Sequence, residues 1–319
     1  MTSPKLLPSR ERGLNWLLLV AALVASAWVV WRSRTLGRAL QPEASHEVDL
    51  LSVVPQGPEL LVTADVGALS PAVALDLLRA GGGALLGLRE QCGFEPLLGL
   101  RRVAFAMPFR AATGDAPPDF ALIADTSLEQ EPVLRCAEAV IQKRGGKPVR
   151  SSLGRFTSVR DQAKPIGEVA IRADGLFVLS GGQYFRDVID AANGAGPADE
   201  ASRLRTRLHL GIRRRLGPSQ LAITLLPGKS LPLPGVQALG LGLEIANDVQ
   251  LRGFVGCPTT AACASAQQLL EHLKTDGARE PGLSGLASLA IAQQEAQLEV
   301  AGRLPREQLA PLLSQLLAP

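Results

Sequence analysis

The chain has 319 residues, 46% of them hydrophobic and 20% charged, which is enough apolar material for one large domain or two modest ones. Aromatic residues make up 4% of the chain, which argues against a platform for stacking bases or sugars. The formal net charge of +3 comes from residues 1–38, which hold six Lys or Arg and one acidic residue. Residues 39–319 hold the other 27 of 33 basic side chains and 29 of 30 acidic ones, so the composition does not predict nucleic-acid binding by the body.

An apolar run near the N-terminus, LNWLLLVAALVASAWVVW, covers residues 14–31. As a helix it spans about 27 Å, close to the hydrocarbon thickness of a bilayer. Trp16, Trp28 and Trp31 stand near its two ends, where indole rings favour the membrane–water interface. The run therefore predicts a single transmembrane helix.

A cleaved signal peptide is the alternative, because Ala-Ser-Ala at residues 25–27 has the small-x-small form that signal peptidase accepts. Cleavage there would leave an apolar terminus beginning at Trp28, and we favour an uncleaved anchor. Residues 1–13 then form a cytoplasmic tail and residues 32–58 a tether. Basic residues flank the run equally on both sides, so charge leaves the orientation open.

The first half of the body, residues 59–197, alternates short apolar strands with amphipathic helices. Strands are predicted at residues 59–66, 101–108, 119–125, 155–160, 168–173 and 176–181. A Gly/Pro-rich loop between the second and third strands predicts an antiparallel hairpin. Helices are predicted from Pro71, after a capping box of Ser127 and Gln130, and where Phe185, Val188, Ile189 and Ala192 share one face.

The second half, residues 198–319, begins within the pattern-breaking stretch NGAGPADE and repeats the scheme. Its predicted elements are a basic helix at 201–216, a strand at 220–227, a hairpin turning at Asn247 and Asp248, a helix from Thr259, a strand pair at 288–294 and 297–305, and a leucine-rich helix from Leu309. The predicted fold class is α+β, with a mostly antiparallel sheet and helices packed on one face, in two similar halves.

Four cysteines follow the apolar run: Cys92, Cys136, Cys257 and Cys263. The gap between Cys257 and Cys263 is too long for a zinc knuckle or a C-x-x-C redox pair. We favour a disulfide that ties a strand end to a helix capped by Thr259, and a second one from Cys92 to Cys136. Two disulfides are typical of an oxidising compartment, whereas free buried thiols are the alternative.

The helix at residues 201–216 holds the one concentrated basic patch. Its candidate residues for an anionic partner are Arg203, Arg207, Arg213, Arg214 and Arg215. Anionic lipid, nucleic acid and an acidic protein all suit such a patch. The spacing of Leu204, Leu208 and Ile212 predicts that these three form the buried stripe, which leaves the arginines as a solvated face. His209 is predicted at the surface or rim.

No catalytic residue, cofactor site or metal site is predicted. PGKS at residues 227–230 lacks the first glycine of a P-loop, and the three histidines lie in unrelated segments. Asp65, Asp125 and Glu244 stand at strand ends, where carboxylates commonly cap turns and strand edges. The protein is therefore predicted not to be an enzyme, and an enzyme with an unrecognised carboxylate site is the alternative.

Two stretches, LSVVPQGPELLVTADVGAL at residues 51–69 and CGFEPLLGLRRVAFAMP at residues 92–108, carry a resemblance. They resemble a group of uncharacterised envelope proteins of high-GC Gram-negative bacteria, over about residues 51–170. The resemblance implies an anchored extracytoplasmic α+β protein, and it supplies no catalytic residues.

These features predict a single-pass inner-membrane protein with its body in the periplasm. The body is expected to bind or scaffold an envelope protein, without a cofactor and without nucleic acid. The alternative is a cytoplasm-facing tether whose basic helix, residues 203–215, contacts anionic lipid or nucleic acid.

Overall fold

The computed structural model describes residues 50–55, 57–69, 92–93, 99–108, 119–164, 167–195, 200–228, 233, 235–279 and 284–308. The apolar run at 14–31, most of the tether, the helix predicted from Pro71 and the helix predicted from Leu309 lie outside these residues.

Within the described residues, twelve strands form one antiparallel sheet. They are β1 Leu60–Asp65, β2 Leu100–Met107, β3 Phe120–Thr126, β4 Pro148–Leu153, β5 Phe156–Asp161, β6 Glu168–Arg172, β7 Leu176–Gly181, β8 Leu221–Leu225, β9 Ala238–Ile245, β10 Asp248–Gly256, β11 Ala290–Gln294 and β12 Gln297–Pro305. Their order across the sheet is β11-β12-β10-β9-β8-β1-β2-β3-β7-β6-β5-β4. The hairpins predicted for β2–β3, β9–β10 and β11–β12 are confirmed by the strand registers.

Four α-helices and three short 3₁₀ turns pack on the sheet within the described residues. The helices are α1 Gln130–Lys143, α2 Gln183–Ala192, α3 Glu200–Leu216 and α4 Thr260–Gly277, and the turns are Leu50–Ser52, Ser284–Ser288 and Arg306–Gln308. The mixed α and β class with a large antiparallel sheet is therefore confirmed.

The helices lie on both faces of the sheet, whereas the sequence predicted one. Successive residues of a strand point to opposite faces. On β10, Phe254 packs with α3 while its neighbour Val255 packs in the cluster of α4. On β6, Ala170 lies in the cluster of α2 while Ile171 lies in that of α1. One face thus carries α2 and α3, and the other carries α1 and α4.

Burial on both faces explains why the central strands β1 and β3 are mostly apolar instead of alternating apolar with polar residues. The first five residues of β1 and the last six of β3 are all buried. A strand covered on both sides has no solvent-facing positions to fill with polar residues, so it does not alternate. The sequence ELLVTADV has this pattern, which fits the two covered faces found in the structure rather than the one that was predicted.

The strand order repeats on either side of the β1–β8 pair. From β1 the chain runs β1-β2-β3, forms α1, and returns so that β7 pairs with β3. From β8 it runs β8-β9-β10, forms α4, and returns so that β12 pairs with β10. Antiparallel pairing of β1 with β8, in which Leu61 faces Thr224, joins the two sets into one continuous sheet.

Two local predictions were wrong. The capping box does not form, because Glu129 is the N-cap of α1 without a side-chain bond, and the Ser127 hydroxyl donates to the carbonyl of Gly99 at 3.3 Å. Strand β4 was not predicted, since its sequence PVRSSL is polar. Tertiary contacts hold it: Arg150 donates to Glu131 at 2.9 Å and to Glu138 at 2.5 Å on α1.

Candidate functional site

All four cysteines are paired, as predicted. Cys257 and Cys263 form one disulfide with a Cα–Cα distance of 5.5 Å, and Cys92 and Cys136 form the other at 4.5 Å. Thr259 caps α4, since its side-chain oxygen accepts from the backbone N–H of Ala262 at 3.1 Å. The first disulfide is buried, so it also contributes to the core between α4 and the sheet.

Helix α3, which carries the predicted basic patch, lies close to the sheet. Its Ile212 and Leu216 pack with Phe254 of β10 in one buried cluster. Glycines on β9 make this approach possible: a side chain at Gly240 would collide with Ile212, and one at Gly242 would crowd Leu216. The sequence LGLGLE therefore forms a strand whose two glycines leave room for the helix to pack closely on it.

The predicted buried stripe of α3 is wrong at two of three positions. Leu204 is 54% exposed and Leu208 is 50% exposed, and only Ile212 is buried. The helix instead buries His209 and Leu216 beside Ile212. Its rotation about its own axis is set by the close packing of Ile212 and Leu216 on Gly240 and Gly242 of β9. The two leucines therefore share the outer face with arginines.

His209 lies in the core, although the sequence placed it at the surface or rim. Its ring is fully buried, with Nε2 2.9 Å from the carbonyl oxygen of Pro58 and Nδ1 2.7 Å from Oγ1 of Thr224. Burial lowers the pKa of His209 to about 4; the Pro58 carbonyl opposes this shift and the nearby Arg205 adds to it. A neutral ring satisfied at both nitrogens can occupy such a site.

Arg205 belongs to this inner side of α3 too. Its Nη2 donates to the carbonyl of Leu226 at 3.0 Å and lies 3.9 Å from the carboxylate of Glu59. Through Arg205 and His209, helix α3 is bonded to the segment that leads into β1 and to β8. This network could not be predicted from the sequence, because Pro58 and His209 are 151 positions apart.

Some arginines of the predicted patch point to solvent, whereas others contact neighbouring residues of the protein. Arg207 and Arg214 are exposed. Arg215 is exposed as well, with its guanidinium 5.0 Å from the ring centre of Phe254 and bonded to Gln297. Arg213 is half-buried and has a partner. The backbone of Arg203 belongs to α3, and its side chain lies outside the described residues.

A shallow recess of about 180 Å³ opens where β7 meets α2. Arg160, Glu168, Ser180, Phe185 and Arg186 are among its lining residues. Ser180 donates to the Phe120 carbonyl and Glu168 accepts from Ser158, each at 2.5 Å. Asp119 accepts from the backbone N–H of Gln183 at 2.7 Å and so occupies the start of α2. These polar groups hold neighbouring strands and a helix terminus together.

The carboxylates named from the sequence have structural partners. Asp65 accepts from the backbone N–H of Ala68 at 3.2 Å, and Glu244 lies 3.7 Å from Arg252. Asp125 is 4% exposed and accepts from Arg101 at 2.7 Å and from Arg102 at 3.2 Å.

Within the described residues, no three His, Cys, Asp or Glu side chains converge as a metal site. None of the described helices combines the length and apolar character needed to cross a membrane.

No protein-family model matches the sequence, and no curated protein matches it. Among solved structures, the chain is similar to one titled "Structure of crystal form I of TP0453", with a TM-score of 0.49 and 16% sequence identity. The match covers 85% of this chain and 99% of that chain.

Proposed function

We propose that the protein is a membrane-anchored extracytoplasmic protein that binds or scaffolds an envelope partner and is not an enzyme. The apolar run at residues 14–31 supplies the anchor, and the sheet with its four helices supplies the body. The body lies on the periplasmic side of the inner membrane.

The observation that carries this proposal is the pairing of all four cysteines. Disulfides persist in oxidising compartments and are rare in the cytosol of most organisms, where reductants keep thiols free. Each bridge ties a helix to a residue outside it, α1 through Cys136 and α4 through Cys263, so both bridges brace the body.

The hydrogen bonds of the polar side chains support a binding role rather than a catalytic one. The recess at the start of α2 is shallow, and the serine and carboxylate groups that line it are bonded to neighbouring strands. The outer face of α3, by contrast, presents side chains of mixed apolar and cationic character to solvent. An exposed face of this mixed character suits association with another large surface.

The test is thiol labelling of the full-length chain combined with a measure of sidedness. In the native protein a maleimide is expected to react only after reduction, because every cysteine is paired. A single new thiol at exposed Gln268 on α4 then serves as the reporter of sidedness.

A membrane-impermeant maleimide should label the Gln268→Cys variant in cells whose inner membrane is intact. The unsubstituted protein is the matched control and should stay unlabelled. Labelling only after the inner membrane is opened, or rapid labelling of the native cysteines in cells, would contradict the proposed location.

A further inference from the structure

We propose that the outer face of helix α3 docks on the surface of an anionic lipid bilayer. This face, the docking face, consists of Leu204, Arg207, Leu208, Gly211 and Arg214. The proposal rests on the membrane anchoring proposed above and adds the orientation of the body on the membrane.

The charge of helix α3 favours an anionic partner. Helix α3 contains six arginines, and its one acidic residue is Glu200 at its start. Arg207 and Arg214 are seven residues apart, so they lie on the same side of the helix two turns from each other. Arginines near an anionic bilayer surface are each attracted by its negative potential. The docking face therefore matches a surface of phosphate-bearing headgroups.

The exposed leucines select lipid over other anionic partners. Leu204 and Leu208 are half-exposed and adjoin the arginines, in line with Gly211 along the helix. A helix that lies in the membrane interface has leucines for the acyl boundary and basic residues for the headgroups. Nucleic-acid phosphates attract the arginines alone and leave both leucines in water. The leucines are thus accounted for by a bilayer.

Helix α4 provides an internal comparison. It also exposes two leucines one turn apart, Leu269 at 59% and Leu273 at 55%. Its outer face carries the His272–Asp276 pair and no arginine, and α4 packs on the opposite face of the sheet from α3. The same leucine spacing thus occurs once with cationic neighbours and once without them, which gives the experiment a matched control.

The chain enters the body on the face of the sheet that carries α3. Leu50, Val53 and Val54 pack in the cluster of α2, on the face of the sheet that also carries α3, and share that cluster with Leu61. The Pro58 carbonyl then bonds to His209 of α3. The segment arriving from the predicted anchor therefore enters the body on the side of the docking face.

Tethering makes a weak surface contact sufficient. Residues 32–49 can extend at most about 60 Å, so an anchored body stays within reach of the bilayer. Linking a second contact to a first one by a short segment gives the second contact an effective concentration near millimolar. Two leucines and two outward arginines need only modest affinity under that condition.

The test uses the full chain reconstituted in vesicles. Because all native cysteines are paired, a Gly211→Cys variant offers one free thiol for an environment-sensitive fluorophore. Within the described part of the chain, a Cβ atom at Gly211 has no neighbour within 4 Å outside the backbone of its own helix, so a cysteine fits there. Gln268→Cys on the outer face of α4 carries the same label as the control. Vesicles contain phosphatidylcholine alone or mixed with phosphatidylglycerol.

The label at residue 211 is expected to shift to the blue and to be quenched by brominated lipid in the anionic vesicles only. Raising the salt concentration should reverse the shift, and adding Arg207→Glu with Arg214→Glu should abolish it, since each arginine contributes about fivefold in membrane association. The label at residue 268 should remain in water in both vesicles.

Three outcomes would overturn the docking. They are a label at residue 211 that stays in water on anionic vesicles, an equal response at residue 268, and shielding by duplex DNA but not by vesicles. Flotation of the protein with the vesicles reports the anchor separately. Flotation with an unresponsive label thus rejects the docking alone, whereas loss of flotation rejects the anchoring.

Discussion

Oγ1 of Thr224 lies 2.7 Å from Nδ1 of His209, and both side chains are buried where α3 crosses β8. Since Nε2 of His209 faces the Pro58 carbonyl, the neutral ring donates from Nε2 and accepts the Thr224 hydroxyl at Nδ1. The same hydroxyl lies 3.2 Å from the carbonyl of Leu61. A protonated ring would donate from both nitrogens and turn the Thr224 hydroxyl toward Leu61.

Acid is expected to destabilise the fold through His209. Burial holds its pKa at about 4, against an ordinary value of 6.5. Between these two values the unfolded chain binds a proton that the folded chain does not, so the free energy of unfolding falls as the pH drops from about 6.5 to about 4. The loss amounts to about 3 kcal/mol. Thermal or denaturant unfolding followed by circular dichroism across this range measures it.

The matched variants are His209→Gln, which removes the titrating ring from the core, and His272→Gln on exposed α4. His209→Gln should be less stable at neutral pH and should lose the acid-dependent part of the decline. His272→Gln should keep it. An equal decline in the native chain and in His209→Gln would contradict the assignment.

Replacing Thr224 by valine tests the hydrogen bond without changing the size of the side chain. Thr224→Val leaves Nδ1 of His209 buried without a donor, which costs about 1–3 kcal/mol of stability. Combining it with His209→Gln in a double-mutant cycle isolates the pairwise contribution, because the two residues touch. Additive effects of the two changes would show that the bond contributes nothing.

The two disulfides are expected to differ in their contribution to stability. Their sequence separations are 44 for Cys92–Cys136 and 6 for Cys257–Cys263. On the chain-entropy model the longer loop contributes about 4 kcal/mol and the shorter one about 2 kcal/mol. Paired alanine variants of each bridge, compared by denaturant midpoint, give the ranking. A larger loss for the shorter loop would mean that packing of buried Cys263 outweighs loop closure.

Two glycine-to-alanine changes near α3 should act in opposite directions. Gly240→Ala places a methyl group against Ile212 and should lower the free energy of unfolding by about 1–3 kcal/mol, because α3 must move away from β9. Gly211→Ala lies on the open side of the helix and should stabilise by about 0.5–1 kcal/mol through helix propensity. The difference in melting temperature between the two variants measures how closely α3 sits on β9. Equal melting temperatures would contradict the close approach.

The strands and helices within the described residues were predictable where the pattern was local. The turn at Asn247, the cap at Thr259 and the apolar face of α2 follow from spacing within a few residues, and all three are found in the structure. Local stereochemistry was sufficient for these features. The Cys257–Cys263 disulfide followed from the same local spacing, whereas Cys92 and Cys136, with a sequence separation of 44, were paired as the two remaining cysteines.

The rotation of α3 could not be predicted from its own sequence. Leu204, Leu208 and Ile212 form a regular apolar row, and by that pattern they should face the core. The helix instead buries His209, because Pro58 and Thr224, which are remote in sequence, provide partners for both ring nitrogens. The absence of a side chain at Gly240 also leaves room for Ile212 and Leu216 of the helix, which lie against it.

The sequence by itself therefore determined the antiparallel hairpins, the start of α4 set by Thr259, and the Cys257–Cys263 disulfide, since each depends on neighbours in the chain. The tertiary structure decided that helices cover both faces of the sheet and that Leu204 and Leu208 point outward beside arginines. Those two properties depend on which distant strands meet beneath each helix, and hydrogen-bond partners such as Pro58 for His209 exist only after the sheet has assembled.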